Sequence, residues 1–383
     1  MNIYVSGVGT TKFGELWDRS PRSLIVEAFE KARDDAHIEK SKIEGIFVGN
    51  MLSGMLGNQE NMGAFVSETL GLSPASAVKV EGACASGGLA IHQGVLAIAS
   101  GLYDTVLVIG IEKMTDHKPE EVAMALMGAG NDEERNAGLT FPGLYAMIAR
   151  AHMNQYGTIE KDMAAVSVKN HFHASMNPNA HFRKEITIDQ VLNSSCIADP
   201  LKLLDCSPIS DGASAVILSK KPIGKKSVSI IASVVSTDSL GLSGRKNLTS
   251  LSATVSAGKK AFSQASVSTN DIDVAEIHDC FSIAEIIALE DLGFYKKGKA
   301  ARAVQSGQLT LGTSKRLVVN TSGGLKACGH PVGATGVKQV VEIVEQLRGT
   351  AGKRQARNAR IGLTHNVGGS GAVAVVHILR NEK

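Results

Sequence analysis

A chain of 383 residues, 43% hydrophobic and 20% charged, has the composition of a soluble globular protein and the length for two or three domain-sized units. Its formal net charge of +3 is too small to argue for nucleic acid, and one Trp among few aromatics argues against a base-stacking surface. The basic cluster Lys220, Lys221, Lys225 and Lys226 reads as a solvated loop.

Five cysteines, an odd number without a C-x-x-C pair, point to reduced thiols in a cytosol-like compartment. The start, MNIYVSGVGTTKFGE, lacks a basic stretch followed by an apolar one, and the end, RNEK, is not a peroxisomal address. The longest apolar run is interrupted at His92 and then Asp104, so it reads as a core helix and not a membrane span. A cytoplasmic location is the expectation.

In chain order, residues 3–8 read as a strand, 21–36 as an amphipathic helix, 43–48 as a second strand and 59–70 as a helix ending near Gly71. Residues 77–81 form a short extended run. The small-residue turn Gly82-Ala83-Cys84-Ala85-Ser86-Gly87-Gly88 follows, and then about thirteen uncharged residues, too apolar on all sides for a surface helix. Strand, turn and helix here make an elbow that presents Cys84 at a helix N-terminus, where unpaired N–H groups favour thiolate over thiol. Taken alone, the turn fits a packed buried cysteine equally well. Residues 105–111 (TVLVIGI) read as a strand covered on both faces.

The second half repeats this grammar. At an offset of 229, Ala32 pairs with Ala261, Ala36 with Ala265, Ile43 with Ile272, Glu44 with Asp273 and Val48 with Ile277. The turn and helix at 86–101 resemble 332–349, and the strand 212–220 resembles 371–379. The closing strands lie only roughly 160 apart, so the first half carries roughly 70 extra residues. We therefore expect a core half at 1–117 completed by 206–221, an inserted domain at 118–205, and a second half at 222–383. The insertion reads as a lid or substrate wall. Its histidines, His171, His173 and His181, read as surface residues, although H-x-H also invites a metal reading. Alternating strands and helices imply a layered α/β architecture. Its two glycine-rich turns would open onto one cleft.

Three segments of the second half carry reactive side chains: EIHDCFSIAE, with His278, Asp279, Cys280 and Phe281; NTSGGLKACGHPVGATG, with Cys328 and His330; and THNVGGSGAVAV, with His365, Asn366 and Gly368. Asp279 also reads as a turn-closing structural residue. Together with the C-A-S-G-G turn, the G-H-P-x-G-A-T-G and H-D-C-F motifs resemble the thiolase family, and the likeness spans the whole chain. Where many thiolases have N-E-A-F and a catalytic C-x-G, this chain has H-D-C-F and His365-Asn366-Val367-Gly368, which resembles the sterol-carrier-type and archaeal acetoacetyl-CoA thiolases.

The resemblance implies a thiolase-like α/β fold: two pseudo-symmetric halves forming an α/β/α/β/α core with an inserted loop domain. It implies acetyl-CoA C-acetyltransferase activity, a Claisen condensation of two acetyl-CoA through acyl-Cys84, reversible by thiolysis and placed in a mevalonate-type route. A ketoacyl-synthase-like condensing enzyme and a degenerate thiolase serving as scaffold or lipid-handling partner are the alternatives. The chemistry needs a sulfur that attacks and leaves, a base for an α-proton, and donors for the enolate oxygen. His330 suits the enolate site as a neutral donor, with His278 assisting it through a water. Cys280 suits the base, with a packed core thiol or Cys328 in the base role as alternatives. His365 would orient or activate Cys84, and the N–H groups of Cys84 and of the turn near Gly368 would hold the acyl oxygen. Ser207 and Phe281 would line the CoA tunnel. No metal and no cofactor beyond CoA thioesters is expected, nor a nucleic-acid or membrane partner. A homodimer or tetramer is expected, and the resemblance also implies a possible complex with hydroxymethylglutaryl-CoA synthase and a small zinc-ribbon/OB-fold protein.

Overall fold

The computed structural model describes residues 3–224, 227–314 and 316–382. Lys225 and Lys226 lie outside them, and Lys220 and Lys221 are exposed. Among the described residues twelve strands run in chain order: β1 (Ile3–Thr10), β2 (Gly45–Gly49), β3 (Ser76–Val80), β4 (Thr105–Glu112), β5 (Cys196–Ala198), β6 (Leu201–Lys202), β7 (Gly212–Ser219), β8 (Val228–Thr237), β9 (Val274–Ile277), β10 (Val318–Val319), β11 (Ile361–Gly368) and β12 (Val373–Arg380). Ten of them form one sheet in the order β10-β9-β11-β12-β8-β1-β7-β4-β2-β3, and β5 and β6 form a separate ribbon.

Read outward from its centre, the order is the same on both sides. β8 mirrors β1, β12 mirrors β7, β11 mirrors β4, β9 mirrors β2 and β10 mirrors β3. The two five-stranded halves meet through a short antiparallel seam, Ile3, Tyr4 and Val5 against Ile230, Ser229 and Val228. The repeat seen in sequence holds residue by residue. The helices Pro21–Ala36 and Ser252–Ala265 end in left-handed caps at His37 and Ser266, and 3-10 turns follow at Lys40–Lys42 and Thr269–Asp271. Glu44 accepts the N–H groups of Asp104 and Thr105 at 2.5 and 3.0 Å. Asp273 does the same for Arg360 and Ile361 at 2.7 and 2.9 Å. Each carboxylate ties its strand to the next one over.

Helix Pro21–Ala36 buries Leu24, Ile25, Ala28, Phe29 and Ala32 against β1, β4 and β7, and helix Ser252–Ala265 covers β8 and β12 likewise. Two central helices, Ser86–Ala99 and Val332–Arg348, each touch strands of both halves and pack on one another. Five layers result. The central pair cross at bare backbone: a Cβ on Gly336 would stand 2.1 Å from the Gly88 nitrogen, and one on Gly87 2.7 Å from the Gly333 oxygen. Only glycine permits that approach.

Two expectations needed correction. The helix Ser86–Ala99 is not buried all round. Gln93, Leu96 and Ala99 face outward, Leu96 at 46% exposure, because the half-sheet ends nearby at the edge strand β3. His171 and His173 are not at the surface. Their helix, Glu160–Ser175, packs on the C-terminal half, and His173 receives the Leu311 N–H at 2.9 Å while its Nδ1 bonds the Asn320 carbonyl at 2.9 Å. Burial lowers His173 to about 3. It is a neutral structural tie. The segment between β4 and β7 also carries helices Pro119–Leu126, Asp132–Asn136, Phe141–Tyr156 and Ile188–Leu192, and adds no strand to the large sheet. Among the described residues no helix is long and apolar enough to cross a membrane.

Candidate active site

Cys84 sits in a 3-10 turn, Ala83–Ala85, between β3 and the helix Ser86–Ala99. Ala83 has φ 53, a left-handed conformation uncommon for a residue with a Cβ. Ser86 holds the turn closed: its hydroxyl donates to the Ala83 carbonyl at 2.6 Å and accepts the Gly82 N–H at 3.0 Å. The helix N-terminus does not leave Cys84 a thiolate at rest. Burial pushes the thiol up to about 12, with Glu112 and Glu81 adding to the rise and the N–H groups of Gly369 and Cys84 itself opposing it. Glu112, at the end of β4, accepts the N–H groups of Met51, Leu52 and Gly333, each at 3.0 Å, and thereby anchors the second central helix beside the first.

The second half brings two imidazoles to this turn. Ligand atoms of Cys84, His278 and His330 all lie within 4.8 Å of one another, and the two rings meet edge to face with centroids 5.2 Å apart. The Nε2 atoms of His278 and His330 are both buried without a hydrogen-bond partner. Burial, with Lys338 adding, lowers His330 to about 3, and burial with the neighbouring histidines puts His278 well below the usual range. Both rings are neutral.

Their tautomers follow from the groups behind them. Asn366 accepts the Gly88 N–H on Oδ1 at 3.1 Å and donates from Nδ2 to the Cys84 carbonyl at 3.0 Å. Those backbone groups have fixed roles, so the amide cannot flip. Its other Nδ2 hydrogen points at His278 Nδ1, 3.1 Å away, which must accept. The His278 proton is therefore on Nε2. On His330 the order is reversed. The Thr335 hydroxyl donates to the Pro331 carbonyl at 2.9 Å and so accepts from His330 Nδ1 at 2.7 Å. His330 Nε2 then carries a lone pair. One imidazole offers a proton to the cleft and the other can take one. Three such donors also resemble a zinc set, but the proton on His278 Nε2 removes the lone pair that a metal would need.

Cys84, Cys280, Phe281, His330 and Ser207 line one largely apolar cleft of about 490 Å³. Ser207 is held there by its N–H bond to the Cys280 carbonyl at 2.9 Å. Asp279 accepts the N–H groups of Leu325 and Lys326 and a hydrogen from Asn170, which locks the H-D-C-F segment onto the chain leading to His330. Gly368 closes against the Gly82 carbonyl, leaving its neighbour Gly369 to direct an N–H at the Cys84 sulfur.

His365 and Cys328 lie elsewhere. Successive residues of β11 face opposite sides of the sheet. His365 bonds Thr254 of the outer helix at 2.9 Å, and Asn366 is the one that reaches the Cys84 turn. Cys328 packs among Phe13, Ala174 and Ala334 and has no place in the cleft. The sequence singles out Asn366 without giving it a role, and does not single out Glu112 or Tyr145. Strand alternation was the available signal for Asn366, and a lone charge ending TVLVIGIE was the signal for Glu112.

Cleft, nucleophile turn and paired histidines across a duplicated five-layer core define a thiolase. The chain matches the thiolase N-terminal domain family over residues 3–222 and the thiolase C-terminal domain-like family over 235–381, and it belongs to the thiolase family. It is 48% identical over 381 residues to the acetyl-CoA acetyltransferase of Methanothermobacter thermautotrophicus, covering 98% of this chain and 99% of that one. It is 34% identical to sterol carrier protein 2 of Bos taurus, over 97% of this chain and 71% of that one. Among solved structures, the Ltp2-ChsH2(DUF35) aldolase superposes with a TM-score of 0.85 at 25% identity, covering 100% of this chain and 98% of that one.

Proposed function

We infer that the chain is an acetyl-CoA C-acetyltransferase that joins two acetyl-CoA into acetoacetyl-CoA, and runs in reverse as a thiolase. The observation that carries the residue roles is the meeting of Cys84 with two neutral imidazoles of opposite tautomer. His330 Nε2 takes the Cys84 proton as the sulfur attacks the first thioester. The N–H groups of Cys84 and Gly369 hold the oxyanion, a pair of donors each worth about two to three orders of magnitude in rate. Cys280 protonates the departing CoA thiolate and is left as the base for the α-proton of the second acetyl-CoA. The enolate oxygen lies between His278 Nε2–H and protonated His330. The enolate carbon attacks acetyl-Cys84, the C–S bond breaks, and Cys84 recovers its proton from His330. His330 is thus first an acceptor and only then the donor expected from sequence. His365 has no step, and Asn366 does the orienting.

Intact mass after incubation with acetyl-CoA tests this directly. Wild type gains one acetyl group and releases acetoacetyl-CoA. C84A gains none, and C280A acylates but makes no carbon–carbon bond. Acylation that persists in C84A would overturn the assignment.

Self-association belongs to the same proposal. β3 is a sheet edge, and Val78 on it, with Leu96 and Leu102 nearby, is exposed at 45%, 46% and 67%. Light scattering at the 40.2 kDa of one chain would count against it. We further propose cytoplasmic residence, the division at 118–205, and assembly with hydroxymethylglutaryl-CoA synthase and a zinc-ribbon/OB-fold protein. Failure of those proteins to co-elute with this chain would overturn the last.

A further inference from the structure

The cleft is also lined by a buried side chain with no part in the steps above. Tyr145, 1% exposed, comes from helix Phe141–Tyr156. Its ring stacks on Phe281 with centroids 4.6 Å apart and planes 30° apart. Its hydroxyl donates to the Gly369 carbonyl at 3.3 Å, and it lines the same cleft as Cys280, whose thiol it acts on electrostatically. Gly369 is also the residue whose N–H reaches Cys84. One phenol therefore borders the surroundings of both sulfurs. Burial keeps it protonated, so it serves only as a donor of a hydrogen bond and never as the base.

Cys280 is poorly suited to base chemistry unaided. Burial raises its thiol, the nearby Cys84 adds to the rise, and the Tyr145 hydroxyl, ahead of Lys326, opposes it. A donor already bonded to a weak carbonyl partner at 3.3 Å can re-aim when a better acceptor forms beside it. Hydrogen bonds to a charged acceptor are about twice as strong as neutral ones.

We propose that Tyr145 is a positioning and specificity-determining residue: its hydroxyl swings from the Gly369 carbonyl to the Cys280 thiolate, and its ring ends the acyl slot after a short chain. This rests on the acetyl-transfer reading above. The proton count is unchanged, since Cys280 gives its proton to the departing CoA thiolate and regains one from the α-carbon, while Tyr145 keeps its own.

Two variants separate hydroxyl from ring. In Y145F, acetoacetyl-CoA formation falls roughly 10- to 100-fold, as expected for a lost bond to a charged group, and acylation, which leaves Cys280 as that thiolate, slows by no more than this. The pH at which that second step levels off also moves up by about one unit. In Y145A, with Y145L as the variant closer in volume, the ratio of kcat/KM for hexanoyl-CoA over acetyl-CoA rises at least about tenfold. Acetoacetyl-CoA formation within about 3-fold of wild type in Y145F, or an unchanged acyl preference in a folded Y145L, would overturn this proposal alone. Absence of acyl-Cys84 in the wild-type chain would overturn the parent reading and this one with it.

Discussion

Cys84 and His330 rest as an uncharged pair, the thiol raised to about 12 and the imidazole lowered to about 3 by the same enclosure. A pre-formed thiolate–imidazolium pair would make the sulfur reactive at all times. In the proposed mechanism the proton moves only as a thioester carbonyl arrives between the donors. Without acyl-CoA, alkylation of Cys84 by iodoacetamide should therefore climb about tenfold per pH unit from 7 to 10, with no plateau near neutrality. A rate already level at pH 7, read by peptide mass, would show the ion pair instead. At this scale the sequence was a good guide to residue type and a poor one to direction. Cys84, Cys280, His278 and His330 stand out as motif residues. His365 carries the stronger chemistry of its pair, yet one step of strand alternation turns it toward Thr254 and turns Asn366 toward the cleft.

The central helices show why glycine-rich turns were needed on both sides. A Cβ on Gly336 would lie 2.1 Å from the Gly88 nitrogen and 2.2 Å from Asn366 Oδ1. G336A therefore strikes the helix crossing and the amide that sets the His278 tautomer together. We expect about 3 kcal/mol or more of destabilisation, since backbone cannot yield as a side chain does, and at least about a hundredfold loss in Cys84 acylation. Thermal melting and acyl-enzyme mass read the two effects separately. G349A, at a helix end with open space around it, serves as the control for acylation. Elements with local signals were legible: the helix at 21–36 was placed to the residue, and the 229 offset carried cap, turn and strand alike. Tyr145 had no such signal. It is an apolar-face residue of an amphipathic helix until the segment between β4 and β7 packs on Phe281.

Across the whole molecule, buried neutral histidines set the acid limit. His173, His330, His365 and His377 are each lowered to about 3 by burial, and His278 lies well below its usual range. Unfolding frees all five to take protons below about 6.5, so each removes stability as pH falls, by about 1.4 kcal/mol per unit. Glu112 and Glu345, raised to about 7, and Asp279, raised to about 6, act with the opposite sign down to their unfolded range. The lowered histidines, with His92, His171 and His181 shifted the same way, outnumber the raised carboxyls, so stability should fall by at least about 1.4 kcal/mol per unit between about pH 6 and 4.5, and faster below. Urea midpoints that do not change from pH 7 to 5 would contradict this. The layered core and its duplication were readable because each half follows its own periodicity. The continuity of one ten-stranded sheet was not, since three rungs between β1 and β8 leave no mark in composition.

That narrow seam joins two halves alike in frame and unlike in chemistry. Two identical units meeting there would set like against like, sulfur facing sulfur or ring facing ring. Carried in one chain, the two turns can differ, so that one half presents the sulfur and the other the imidazoles.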